Sequence, residues 1–127
     1  MTAKQQDTFK KILEDRRAEL CRDIEAQRER LNVDPLGDSM DQVRVVAERD
    51  LALWKIDNSS AILRLIERSL RNIREETYGI CAHCEEDIPV KRLQAVPWSP
   101  YCVTCQHRAE GEDAAPHGGR TAFAIAS

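Results

Sequence analysis

Five cysteines stand in the 127-residue chain, and four of them form two C-x2-C pairs, Cys81/Cys84 and Cys102/Cys105, with 17 residues between the pairs. Each two-residue gap lets one tight turn present two sulfurs to the same ion. Four thiolates suit Zn2+ in a tetrahedron and fill its shell, so the expected cofactor is one structural zinc with no open position for catalysis. In a reducing compartment the pattern reads as metal ligation rather than disulfides. Unpaired or redox-active thiols are the alternative. His83 lies inside the first knuckle and His107 just past the second. With four cysteines already present, both read as exposed polar side chains. His117 sits in Gly-rich sequence and reads as solvated. Cys21 stands alone in helical sequence and reads as a small, partly buried helix residue. The chain shows neither a nucleophile–base pair nor a phosphate-cradling glycine loop, so an enzyme is the least expected class.

Two further sets of charged residues carry chemistry. Between Asn32 and Asp41 stand Asp34, Asp38 and Asp41 with no basic residue. Aspartates are common in turns and caps, so a solvated turn is the plain reading. As a cage for a hard cation the cluster lacks a matched loop motif. Arg64, Arg68 and Arg71 follow one another at i+4 and i+3, on one helix face, with Arg74 beyond. They read either as a solvated face with local pairs such as Glu67–Arg71 or as a docking surface for an acidic partner.

The elements that must position these residues follow from periodicity. Residues 4–31 carry Phe9, Leu13, Leu20, Ile24 and Leu31 at +4, +7, +4 and +7, a helical seam near the 3.5-residue period, with Arg17 and Gln27 at intermediate positions. Residues 32–41 break it: Pro35 disfavours helical geometry at Asp34, and Gly37 permits a positive φ. Residues 42–77 resume with Val46, Leu53, Ile56, Leu63, Ile66, Leu70 and Ile73, the phase slipping by about one residue near Asn58-Ser59-Ser60. Two long helices joined by a short break make an antiparallel hairpin; zipping with partner chains is the alternative. The expected fold is therefore mainly α, a long antiparallel helical hairpin (coiled coil) with a small C-terminal four-cysteine zinc finger. Its divisions are the hairpin at 1–77 with a tip at 32–41, the zinc module at 78–106, and a short helix extension with a flexible tail at 107–127. Within the module, Glu85-Glu86-Asp87-Ile88-Pro89-Val90 reads as a knuckle turn leading into a short strand, and Trp98 and Tyr101 as cover for the metal site or the helix base.

Composition narrows the classes. Lys+Arg is 19 against Asp+Glu 22, a formal charge of −3, which argues against a generic basic nucleic-acid binder. Charged residues make up 32% and aromatics 5%, a mix suited to long solvated helices. No apolar run approaches the ~20 residues of a membrane span, and the first residues lack the apolar core of a signal peptide. The expected location is the cytoplasm, with no membrane partner.

The segment Tyr78-Gly79-Ile80-Cys81-Ala82-His83-Cys84, with Ile88-Pro89-Val90-Lys91-Arg92-Leu93-Gln94-Ala95-Val96-Pro97 and Tyr101-Cys102-Val103-Thr104-Cys105, resembles the zinc-finger signature of the DksA/TraR family. The resemblance covers roughly residues 4–106. Members of that family bind bacterial RNA polymerase rather than DNA. Their hairpin enters the secondary channel, and its acidic tip changes the fate of promoter complexes. The tip pattern of the DksA branch, D-x-x-D-x-A, is matched in type and offset by Asp38-Ser39-Met40-Asp41-Gln42-Val43, with Asp38 43 residues before Cys81 and Val43 in place of the alanine. The resemblance implies a monomeric transcription regulator that binds RNA polymerase, with Asp38, Asp41 and Val43 as its effector tip and no direct sequence-specific DNA contact. Arg64, Arg68, Arg71, Lys91 and Arg92 are its candidate docking surface. Three positions that are basic in the ppGpp site of family complexes fall on Leu65, Val96 and Gln106, so little ppGpp synergy is expected. The competing readings are a zinc ribbon that contacts nucleic acid through Lys91, Arg92 and Arg108, and a structural coiled-coil adaptor.

Overall fold

A computed structural model describes residues 1–32 and 39–112, with the side chains of 39–41 and 112 left aside. The described residues form four helices: α1 (Ala3–Leu31), α2 (Ser39–Arg74), α3 (Val90–Ala95) and α4 (Val103–Glu112). At 1.5 Å per residue α1 is about 44 Å long and α2 about 54 Å. The two run antiparallel as a hairpin, and α3, α4 and the knuckle turns sit at its base.

α1 starts where Thr2 makes a capping box: the Gln5 N–H donates to Thr2 Oγ1 at 3.2 Å, and the Thr2 N–H donates to Gln5 Oε1 at 3.0 Å. Its far end is tied across the hairpin, where Arg49 Nη2 donates to the Leu31 carbonyl at 3.0 Å. That bond satisfies one of the free carbonyls at the helix end and puts a cation there.

α2 stops at Arg74 instead of running on to 77. Glu76 adopts φ +63. The Thr77 N–H reaches back to the Asn72 carbonyl at 2.8 Å, and the Glu76 N–H to that of Ile73 at 3.3 Å. This pair of bonds is a Schellman stop. It is built on a glutamate where glycine is usual, which is why the sequence gives no sign of it. The helix also starts earlier than expected, at Ser39, so Asp41 belongs to its first turn rather than to the connection.

The core is one side chain thick and continuous from hairpin to base. Phe9, Leu13 and Leu20 of α1 and Ile62, Ile66 and Leu70 of α2 join Tyr78, Cys81, Ile88, Leu93 and Cys105 in one buried cluster. Toward the tip, burial ends with Ile24 and Ala52 among the described residues. The expected α2 seam holds at the base, where Ile66 and Leu70 are buried and Ile73 is packed against the core. It fails toward the tip, where Val46 and Leu53 are 57% and 48% exposed and Ala52 faces inward at 1%. Counted back in sevens from Ile66, the packed face runs unbroken through Ser59 to Ala52 and Val45, so at Asn58-Ser59-Ser60 only the stripe of large apolar residues slips, which leaves Val46 and Leu53 off that face. Val43, Val46, Leu51, Leu53 and Trp54 are left on the outward side of the rod.

Candidate metal centre and hairpin tip

The first knuckle is a tight reversal held by backbone bonds. The Cys81 N–H donates to the Glu86 carbonyl at 2.8 Å and the Glu85 N–H to that of Cys81 at 3.0 Å, with Glu85 at φ +61. Ahead of it Gly79 sits at φ +88, where its carbonyl accepts from the Ile88 N–H at 2.7 Å. A Cβ there would be strained by the backbone and would press on Met1 Cε at 3.1 Å. The expected strand does not form. Only an isolated antiparallel bridge, Ile80 to Asp87, is present among the described residues, and Val90 opens α3 instead. Pro89 explains this: it has no N–H to extend a ladder, and its φ of −56 suits a helix start.

The second knuckle delivers its sulfurs from the start of α4, with Cys102 just ahead of the helix and Cys105 in its first turn. The Gln106 N–H closes that turn on the Cys102 carbonyl at 2.9 Å. Helix N-termini favour negative sulfur. The Ala82 N–H donates to the Pro100 carbonyl at 2.8 Å and so joins the two knuckles.

The four ligand sulfurs lie within 4.8 Å of one another. Cys84 Sγ and Cys102 Sγ are 3.9 Å apart. That is far beyond a disulfide bond and close to the ~3.8 Å edge of a tetrahedron with 2.3 Å zinc–sulfur bonds. Burial opposes ionisation of Cys81, but the backbone N–H groups of Cys84, Cys102 and His83 outweigh it and draw the thiol down to about 6. Burial, then the neighbouring sulfurs of Cys102, Cys81 and Cys84, push Cys105 up to about 12. Four thiolates this close need a cation between them, and this donor set fits zinc.

Tyr78 locks the module to the hairpin. Its ring lies 5.7 Å from that of Phe9, and its Oη donates to the Pro97 carbonyl at 2.8 Å. Burial holds this phenol well above its ordinary range. Tyr78 therefore stays neutral in the folded protein at a pH where the unfolded chain would ionise. The sign follows: its contribution is complete below the usual tyrosine value of about 10 and declines as pH rises above it. Tyr78→Phe should cost about 1 kcal/mol at neutral pH and should flatten the loss of stability above pH ~10. Denaturant titrations of both proteins at pH 8 and pH 11 check this; parallel losses would assign the alkaline loss to other groups.

Of the remaining sites expected from sequence, Asp38 lies outside the described residues, Asp41 is placed by its backbone alone, and Val43 is 70% exposed. Arg64, Arg68, Arg71 and Lys91 are exposed, and Arg92 is half-buried with its Nε without a partner. The local pairing expected of the α2 arginines is not seen: among the described residues the ion pairs are Arg16–Glu19 and a long His107–Glu110 contact. Arg68 instead lines a cavity of about 240 Å3 with Ser69, Asn72 and Trp98. Trp98 and Tyr101 pack against the buried cluster, as expected. Cys21 is exposed rather than partly buried, and His117 lies outside the described residues. Val96 and Gln106 are both 3% exposed. Sequence reasoning passed over His83, whose Nδ1 lies 3.7 Å from Cys105 Sγ.

A long hairpin seated on a four-cysteine structural zinc finger is the class defined by this fold and site. Residues 76–111 match the model of the prokaryotic dksA/traR C4-type zinc finger. The chain is 31% identical over 114 residues to the RNA polymerase-binding transcription factor DksA of Buchnera aphidicola subsp. Schizaphis graminum, covering 87% of this chain and 74% of that one. An uncharacterized protein of Aquifex aeolicus is 46% identical over 61 residues, 45% of this chain and 42% of its own length. The solved structure of transcription factor DksA2 from Pseudomonas aeruginosa superposes with a TM-score of 0.76 at 26% identity, covering 90% of this chain and 89% of that one. This chain belongs to the DksA/TraR family, on its DksA side. No helix among the described residues is long and apolar enough to cross a membrane.

Proposed function

We propose that this protein is a cytoplasmic, monomeric transcription regulator that binds bacterial RNA polymerase and carries Asp38 and Asp41 through the secondary channel on the end of its hairpin, altering promoter open complexes. The observation that carries this reading is the combination of a family-defining zinc base with a rod ~54 Å long, in a sequence that carries Asp34 and Asp38 between the two long helices and Asp41 in the first turn of α2. Unpaired charge is screened over about 8 Å at physiological salt, so acidic groups act on a buried active centre only when physically delivered there. Rod length is therefore part of the function. The shared core makes base and rod one unit, which lets a docking event at Arg64, Arg68, Arg71, Lys91 and Arg92 fix the reach of the tip. The protein has no enzymatic role in this reading. Leu65, Val96 and Gln106 offer no positive charge, and two of them are buried, which supports little ppGpp synergy.

The test is open-complex lifetime on a ribosomal-RNA-type promoter with purified bacterial polymerase. The wild-type protein is expected to shorten it, and Asp41→Asn to abolish the effect while polymerase affinity stays within about twofold, because a neutral isostere removes the charge and little else. An equal loss of affinity would make Asp41 a fold or docking residue. A silent Asp41→Asn would sink the effector role. Wild-type protein that fails to bind polymerase would return the chain to the adaptor or nucleic-acid reading, and binding to DNA that weakens steeply with salt would favour the latter.

A further inference from the structure

The sulfurs of the zinc site are not equally supported. Cys81 Sγ draws on the backbone N–H groups of Cys84, Cys102 and His83, and Cys84 Sγ on that of Glu86. Cys105 Sγ, in the other knuckle and only 6% exposed, faces the three other sulfurs and the ring of His83 at 3.7 Å. His83 occupies the x2 gap of the first knuckle and is itself exposed, so its ring reaches inward to one sulfur and keeps its other edge in water.

We propose that His83 is a positioning residue of the zinc centre: its Nδ1–H donates to the Cys105 sulfur and clasps the second knuckle from the first. A tetrathiolate zinc site carries a net negative charge, and donors to its sulfurs disperse that charge and hold each thiolate in its coordinating orientation. Outer partners of this kind are worth about 10–100-fold in metal affinity when removed. The clasp complements the Ala82–Pro100 backbone bond, which joins the same two turns on their main chains. It also explains why an exposed histidine lies against a buried sulfur when no ligand position is left for it.

The experiment is zinc competition against a chromophoric chelator, under reducing conditions, with the full chain and two variants. His83→Leu keeps bulk and loses the donor; it should bind zinc about tenfold more weakly. His83→Asn places an amide N–H near the position of Nδ1 and should stay close to wild type. Nitrogen-15 spectra of the zinc-loaded wild type should show His83 protonated at Nδ1. Wild-type affinity in His83→Leu, equal weakening in both variants, or protonation at Nε2 alone would each overturn the proposal. Circular dichroism of both zinc-loaded variants should match wild type, since the replaced side chain is exposed.

Discussion

Stripping the zinc under reducing conditions should unravel residues 78–112 and leave the middle of the hairpin folded. The base has little else to hold it. α3 is six residues long, well short of what stands alone in water, and the first knuckle is pinned by one isolated bridge. Structural zinc in small finger modules contributes about 10–16 kcal/mol of apparent binding energy. That exceeds what Tyr78, Ile88 and Leu93 can supply by burial, at about 1.5–3 kcal/mol per large side chain. The hairpin has its own contacts through Leu13, Leu20, Ile62 and Ile66, so its loss should be confined to the turns near Phe9 and Leu70. Amide exchange by mass spectrometry reads both halves at once. Protection should vanish over the knuckles and persist over Leu13–Leu20 and Ile62–Ile66. Replacing Cys81, 1% exposed and part of the buried cluster, with serine should give the same pattern. Unchanged protection over residues 78–112 in the metal-free protein would mean that the apolar core alone holds the module.

What could be read from the sequence and what could not divide along physical lines. The ligand set was legible because its signal is local: two C-x2-C pairs state their geometry in their spacing. The existence of two long helices and their hairpin was legible because periodicity accumulates over many residues. The phase of α2 toward the tip was not. A seam counted from Leu53 to Val46 follows residue size, whereas the helices meet at Ala52, whose small side chain allows close approach. Glu76 and Glu85 were illegible for a different reason. Each occupies a left-handed position that glycine normally marks, so residue type pointed away from the turn. The turn through Pro89 suggests a strand to follow, although the missing N–H and fixed φ that bar proline from a ladder suit the start of α3. His83 was dismissed because four cysteines exhaust a zinc shell; that argument counts ligands and says nothing about donors to them.

Leu13→Ala and Ile66→Ala should each remove a large part of the stability of the zinc-loaded protein, about 2–5 kcal/mol. Both side chains are 0% exposed and belong to the same cluster. In a rod two helices wide there is no further layer to collapse into the void, so the cost should fall in the upper half of that range. A domain of this size has only about 5–15 kcal/mol in total, so either variant should shift the denaturation midpoint strongly. The comparison that gives the prediction its force is Leu53→Ala. The large apolar residues read from sequence place Leu53 in one seam with Ile66, although the two stand one residue short of two heptads apart, and the observed packing puts Leu53 48% exposed on the outward side of α2. Its loss should therefore cost no more than about 0.5 kcal/mol, as for an ordinary surface site. Urea titrations of the three variants decide between the two phases. A Leu53→Ala cost equal to that of Ile66→Ala would put Leu53 against α1 and turn Ala52 outward. The expected inequality leaves the outward face of Val43, Val46, Leu53 and Trp54 free of any role in holding the hairpin together.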